Sequence, residues 1–261
     1  MDPQSVKKRA WLEGQAALCS VPPWRERSWR LVLLGAPGVG KGTQAALLSE
    51  RLRTCHLSTG DLFRAAAARG DCARTPGLAE AIEHIRRGEL VPDSLVWQMV
   101  RDRRECLRCR GGFLLDGFPR TLGQAAALEG FLEEEGLPLH AVVNYEMPLE
   151  EIVARLSGRR TCRSCQAVFH VVSHAPRVDG VCDQCGAELY QRDDDRAESI
   201  VVRMAAYRKS TMPVIDFYSG LGLVVPVSAV GPSESIFERT MGALGAHASC
   251  VVRAEESIGR R

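Results

Sequence analysis

A chain of 261 residues can bury a sizeable core, as one large domain with insertions or as two small ones. Its 34 Lys and Arg against 32 Asp and Glu leave a formal charge of +2, which argues against a nucleic-acid coat or a membrane-surface binder. No apolar run approaches the ~20 residues of a bilayer crossing and no hydrophobic leader opens the chain, so a soluble cytoplasmic protein is expected, with its ten cysteines under reducing conditions.

Residues 1–29 mix Lys, Arg, three Trp and a Pro pair without sustained periodicity and read as a loosely ordered N-terminal extension. Asp2, Glu13 and Glu26 argue against an organelle transit peptide, a class poor in acids, without excluding one. From Arg30 the pattern tightens. RLVLL predicts a buried strand, GAPGVGKGTQ a glycine turn, and Ala45, Leu48 and Leu52 share one face of a helix over 43–53. Further apolar runs follow at CHLS (55–58), FLLD (113–116), HAVVNYEM (140–147) and GLVVPVS (222–228), separated by amphipathic helical stretches. Continuous rather than alternating runs suit strands covered on both faces. The prediction is an α/β fold: a doubly wound, five-stranded parallel sheet with helices on both faces. Residues 161–191, rich in Cys, Gly, Pro and Val, break the rhythm and predict a small β-rich insertion.

Strand, G-x-x-x-x-G-K and helix in that order form a phosphate-binding loop. Gly35, Gly38 and Gly40 let backbone N–H groups turn inward, the helix start adds its positive end, and Lys41 brings a mobile charge. The residue after the lysine is Gly42, and the hydroxyl comes one step late at Thr43. Mg²⁺ must then be held mainly by phosphates and water, with an outer carboxylate orienting that water; Asp116, at the carboxyl end of its strand, is the candidate.

Arg64, Arg120, Arg155, Arg159, Arg192 and Arg203 fall at helix starts and loops. Singly each reads as a solvated face. Together they suit phosphoryl transfer, which depends on charge stabilisation and in-line positioning. No Ser-His-Asp set, HExxH or paired glycosidase-like carboxylates stand out, and an acceptor that is already an ionised phosphate needs no general base. In DDDRAES, Asp195 and Glu198 predict a capping box that starts the last long helix, with Asp194 fixing a neighbouring arginine.

Cys162, Cys165, Cys182 and Cys185 form C-x₂-C-x₁₆-C-x₂-C, the spacing of a tetrahedral structural zinc site, with disulfides or four free thiols as the alternative readings. Four thiolates leave no open coordination position, so the metal would stiffen a small flap. Cys106 and Cys109, a C-x₂-C with no partner pair nearby, read as solvent-side thiols; Cys19, Cys55, Cys72 and Cys250 carry no pattern.

With GAPGVGKGTQ, STGDLFR, GELVPD, LLDGFPRT, the cysteine quartet and ELYQRDDDRAESIVVR in unbroken order, residues 30–245 resemble adenylate kinase, of the long form with a zinc-bearing lid. The resemblance implies reversible transfer of a phosphoryl group from ATP to AMP giving two ADP, with Mg²⁺, in a P-loop core with an AMP-binding part at 59–88 and a lid at 155–191. It implies ATP contacts from Gly38, Val39, Gly40, Lys41, Gly42, Thr43, Arg159, Val168 and Phe169, with the Gly231 carbonyl reading adenine. For AMP it implies Thr59, Arg64, Glu89, Leu90, Val91, Gly117, Phe118, Pro119, Arg120 and Gln124, whose amide matches the adenine edge. Arg192 and Arg203 would bridge to the transferring phosphates, and Lys41, Arg120, Arg155, Arg159 and Asp116 would assist. Residues 1–29 and the tail 246–261 have no assigned counterpart. Monomer is the default, with nucleotides as the only partners and neither nucleic acid nor membrane. A kinase for GMP or a pyrimidine nucleotide, and a nucleotide-sensing binding protein, remain as alternatives.

Overall fold

The computed structural model describes residues 11–12, 28–68 and 76–258. Its centre is a five-stranded parallel sheet built from β1 (Trp29–Gly35), β2 (Cys55–Ser58), β3 (Gly112–Asp116), β4 (Ala141–Glu146) and, last in the chain, β8 (Val224–Ser228), in the order β2-β3-β1-β4-β8. The five apolar runs are these strands. The physical reason shows in β1: Val32 and Leu34 enter one core with Leu57, Phe113, Leu115 and Val142, whereas Leu31 and Leu33 enter another with Leu114, Val143 and Val227. Both faces are buried, so the run cannot alternate with polar residues.

Helix α1 (Lys41–Leu52) follows β1 and packs beneath the sheet with Ala45 and Leu48 inward. After β2 come α2 (Thr59–Ala68), α3 (Pro76–Arg87), α4 (Asp93–Arg101) and the single turn α5 (Arg104–Leu107), all before β3. Helix α6 (Leu122–Glu134) links β3 to β4, and α7 (Leu149–Ser157) leads out of the core into a second, antiparallel sheet. That sheet has the order β6-β5-β7, from β5 (Arg159–Cys162), β6 (Val168–His170) and β7 (Leu189–Tyr190). The chain returns through α8 (Ala197–Ala206), a π turn (Tyr207–Thr211) and α9 (Met212–Gly220) to β8, and ends in α10 (Ser233–Ile258).

Four expectations are corrected. Residues 1–29 were expected to be loosely ordered throughout, but Trp11 is 1% exposed in the core, and its indole N–H donates to the Ser58 carbonyl at 2.9 Å. Arg103 holds it from behind, donating to the Trp11 carbonyl at 2.8 Å with its guanidinium 5.8 Å from the ring centre. A large indole gains more by burial than by remaining on a solvated arm. The rest of that extension, 1–10 and 13–27, lies outside the described residues, as do Cys19, Cys72 and 259–261. No tail separates at 246, because α10 runs on to Ile258.

Asp195 and Glu198 do not form a capping box. Helix α8 starts at Ala197 with Arg196 in the cap position and no side-chain cap, and it is not the last long helix. Asp195 is fully buried and accepts charge-assisted bonds from Arg159 and Arg203, which outweigh one bond to a backbone N–H. Finally, Cys106 and Cys109 are not solvent-side thiols: Cys106 is 2% exposed in the core, and Cys109 is half-buried against it.

Candidate active site

The carboxyl ends of β1, β2 and β3 converge, with Leu33 level with Asp116 and Asp116 level with Ser58. The loop after β1 folds so tightly that Gly38 sits at φ 81, and a Cβ there would lie 2.6 Å from the Leu156 side chain. Gly40 caps α1 in a left-handed conformation without a side-chain acceptor, so the first N–H groups of the helix are left to an anion. Lys41 Nζ donates to the carbonyls of Gly35 at 2.7 Å and Ala36 at 3.0 Å. Gly42 and Thr43 are exposed at the helix start, while the Val39 side chain is buried in the core and offers only its backbone.

Asp116 lies over this loop: a Cβ on Gly42 would be 3.7 Å from its carboxylate. Burial alone would raise the Asp116 pKa, but the His56 imidazole 3.5 Å away and the charge of Lys41 outweigh it and hold the carboxyl below its ordinary value. Burial likewise brings Lys41 down to about 7; Asp116 opposes the shift, and Arg120, Arg203 and Arg159 add to it.

The arginines are held individually. Arg64 is tied to Asp61 at 2.6 Å, and that carboxylate overcomes the effect of burial and raises the Arg64 pKa. Arg120 donates through Nε to the Gly117 carbonyl at 2.8 Å and is lowered by burial and by Arg203. Arg159 grips Asp195 with two nitrogens, and Arg203 bonds Asp195 at 3.0 Å and Asp194 at 3.1 Å. Arg192 donates to Thr161 Oγ1 at 2.9 Å and is pushed down by burial and by Arg64 and Arg159. Mutual electrostatic influence thus links Lys41, Arg64, Arg120, Arg159, Arg192 and Arg203 into one cluster. Arg155 stands apart, donating to the Val39, Ala229 and Gly231 carbonyls at 3.4, 3.2 and 3.3 Å. It therefore meets Gly231, the residue expected beside the adenine of ATP.

On the opposite flank, Thr59 Oγ1 donates to the Gly117 carbonyl at 3.0 Å. Gly117 needs its φ of 82, and a Cβ there would fall 2.9 Å from that hydroxyl. The Phe118–Pro119 peptide is cis, and the Phe118 ring is buried and stacked on Trp97. Gln124 is 3% exposed; its Nε2 donates to Asp93 at 2.7 Å and its Oε1 accepts from the Arg120 N–H at 2.7 Å. Glu89 is paired with His84 at 2.7 Å, Leu90 is half-buried, and Val91 is 9% exposed. In the small sheet Val168 is exposed, whereas Phe169 is buried beside Cys162, Cys182 and Leu189 and cannot lay its ring on a nucleotide without leaving that core.

The holders of these groups were not foreseen: His56 for Asp116, Asp61 for Arg64, Asp93 for Gln124, Thr161 for Arg192 and Asp195 for two arginines at once. Only Asp61 had a local signal, three residues before Arg64 on one helix.

The four cysteine sulfurs lie within 4.8 Å of one another, with Cys162–Cys185 at 3.4 Å and Cys165–Cys182 at 3.6 Å. Thiolates 2.3 Å from a tetrahedral ion stand about 3.8 Å apart, so the set fits a metal. Each C-x₂-C knuckle ends in a left-handed residue, Gln166 at φ 62 and Gly186 at φ 73. The Ala187 N–H and neighbouring sulfurs bring the Cys185 thiol down to about 6, toward the thiolate a metal takes.

The family model for adenylate kinase matches residues 33–223. The adenylate kinase of Streptomyces griseus subsp. griseus is 48% identical over 218 residues, 83% of this chain and 98% of that protein. Those of Streptomyces avermitilis and Thermodesulfovibrio yellowstonii are 49% and 48% identical, covering 82% and 80% of this chain and 96% and 95% of theirs. A glycine loop at a helix N-terminus, a cluster of held arginines, a four-cysteine group and near-complete coverage of these relatives agree: the chain belongs to the adenylate kinase family.

Proposed function

We propose that the chain transfers the terminal phosphoryl group of ATP to AMP and runs the reaction reversibly through two ADP. The observation that carries this reading is the cationic cluster around Lys41, in which the positive side chains outnumber the carboxylates that hold them. Such a cluster stabilises charge spread over the equatorial oxygens of a transferring phosphoryl group. ATP phosphates lie on the Gly38–Thr43 backbone and Lys41, with Arg159 and the Val168–Phe169 main chain above them and Arg155 and Gly231 toward the base. AMP lies between Thr59, Arg64, 89–91 and 117–120. Arg120, Arg192 and Arg203 face both phosphate chains.

The Gln124 amide has two N–H donors and two lone pairs; Asp93 and Arg120 take one of each and fix its orientation, which leaves one of each for an adenine edge. Asp116 orients water on the Mg²⁺ that ATP carries. The cysteine quartet would hold Zn²⁺, which would tie the 155–191 lid together, while 59–88 serves the acceptor. No proton has to be removed from an ionised acceptor phosphate, and lid closure keeps water from taking the phosphoryl group.

We place this activity in a monomeric, cytoplasmic protein; no helix among the described residues is long and apolar enough to cross a membrane. The test is a coupled ADP assay with AMP, GMP, CMP and UMP as acceptors, alongside metal analysis. ADP that forms only with AMP, and is lost in Lys41→Met, supports the reading. Equal turnover with GMP, or unchanged turnover in the variant, overturns it.

A further inference from the structure

We propose that Cys55 and Cys109 form a reversible disulfide that staples edge strand β2 to the turn before β3. Cys55 opens β2 and Cys109 lies 54 residues later, yet their sulfurs stand 3.0 Å apart, about 1 Å beyond a disulfide bond. The backbone sets them there. Cys55 is in register with Phe113, the second residue of β3, and the Cys109 carbonyl accepts from the Gly112 N–H at 2.8 Å.

Cys55 is 1% exposed, whereas Cys109 is half-buried, so Cys109 is the thiol that a reagent meets first. Its thiolate attacks one sulfur of a low-molecular-weight disulfide such as oxidised glutathione and expels the other as a thiol. Cys55 then gives up its proton, attacks the Cys109 sulfur of the mixed disulfide and expels the second thiol. Two protein thiols are oxidised and one small disulfide is reduced to two thiols. Because the second step is internal, burial of Cys55 is no obstacle. Cys55, whose sulfur is already in contact with that of Cys109, is the thiol that the geometry selects to resolve the mixed disulfide.

The bond would close a loop that contains α2, α3, α4 and α5, and so remove freedom from the unfolded chain. It lies three residues, roughly 10 Å along β2, before the level of Ser58 and Asp116, and so should leave the chemistry untouched.

The experiment treats the full-length, metal-loaded protein with oxidised glutathione and maps its peptides without reduction. Expected are a pair joined through Cys55 and Cys109, two hydrogens lighter than the separate peptides and released by dithiothreitol, a melting temperature about 5–10 °C higher, and unchanged KM for both nucleotides. C109S and C55S should yield no such pair. The map is read on the unaltered chain, so misfolding of a variant does not decide the matter. A glutathione adduct that persists on Cys109, a link from Cys109 to another cysteine, or intact thiols at both positions would overturn the proposal.

Discussion

Lys41 sits between two backbone carbonyls, with a pKa brought down to about 7 from 10.5 by burial and three nearby arginines. The unfolded chain therefore binds more protons than the folded one between pH 7 and 10.5, so this residue's penalty on stability is full below pH 7 and fades as pH rises through that window. Lys41→Met should fold more stably than the native chain at pH 6–7, with the advantage shrinking toward pH 10, in urea melts run across the range. Its kcat should fall by about 10³ or more in the coupled assay. Asp195 makes the opposite case. Asp195→Asn leaves two guanidiniums short of a buried charged partner and should cost about 3–5 kcal/mol in denaturant unfolding. Asp193→Asn breaks only the exposed pair with Arg196 and should cost under ~1 kcal/mol. The loop residues were legible in the sequence because glycines and a lysine at fixed spacing have few other uses. The role of Asp195 was not, since Arg159 lies 36 residues away and only the folded chain brings them together.

Among the elements, the strands were the easiest to read, because burial on both faces writes an unbroken apolar run. Less legible was the path from α8 to α9. Pro213 at the start of α9 has no N–H to give to the preceding turn, and the chain widens into the π turn over Tyr207–Thr211. There the Thr211 hydroxyl donates to the Arg120 carbonyl at 3.0 Å, which links the return path to the acceptor flank. The small sheet has a buried apolar cluster of only Cys162, Phe169, Cys182 and Leu189, so a metal on the quartet would supply much of its stability. Stripping the metal with a strong chelator should melt this element alone. Proteolysis within 160–190 should then rise at least tenfold while the five-stranded core keeps its circular-dichroism signal, and readdition of Zn²⁺ should restore protection.

At the scale of the molecule, the family match begins at residue 33, but the packed core begins earlier, at Trp11. A version cut to residues 29–261 should therefore be less stable by about 3–5 kcal/mol, and Trp11→Ala in the full chain should reproduce most of that loss by thermal denaturation. Local sequence hid this contact, because one of three tryptophans in a stretch without periodicity carries no sign of where it will land. Its landing place also has a practical side. With the indole seated against the carbonyl of Ser58, anything joined ahead of Met1 stands ten residues from the core, a distance of no more than ~35 Å. A dye placed there would stay within energy-transfer range of a second dye on the segment that carries the cysteine quartet, and any movement of that segment against the core could be read from single molecules.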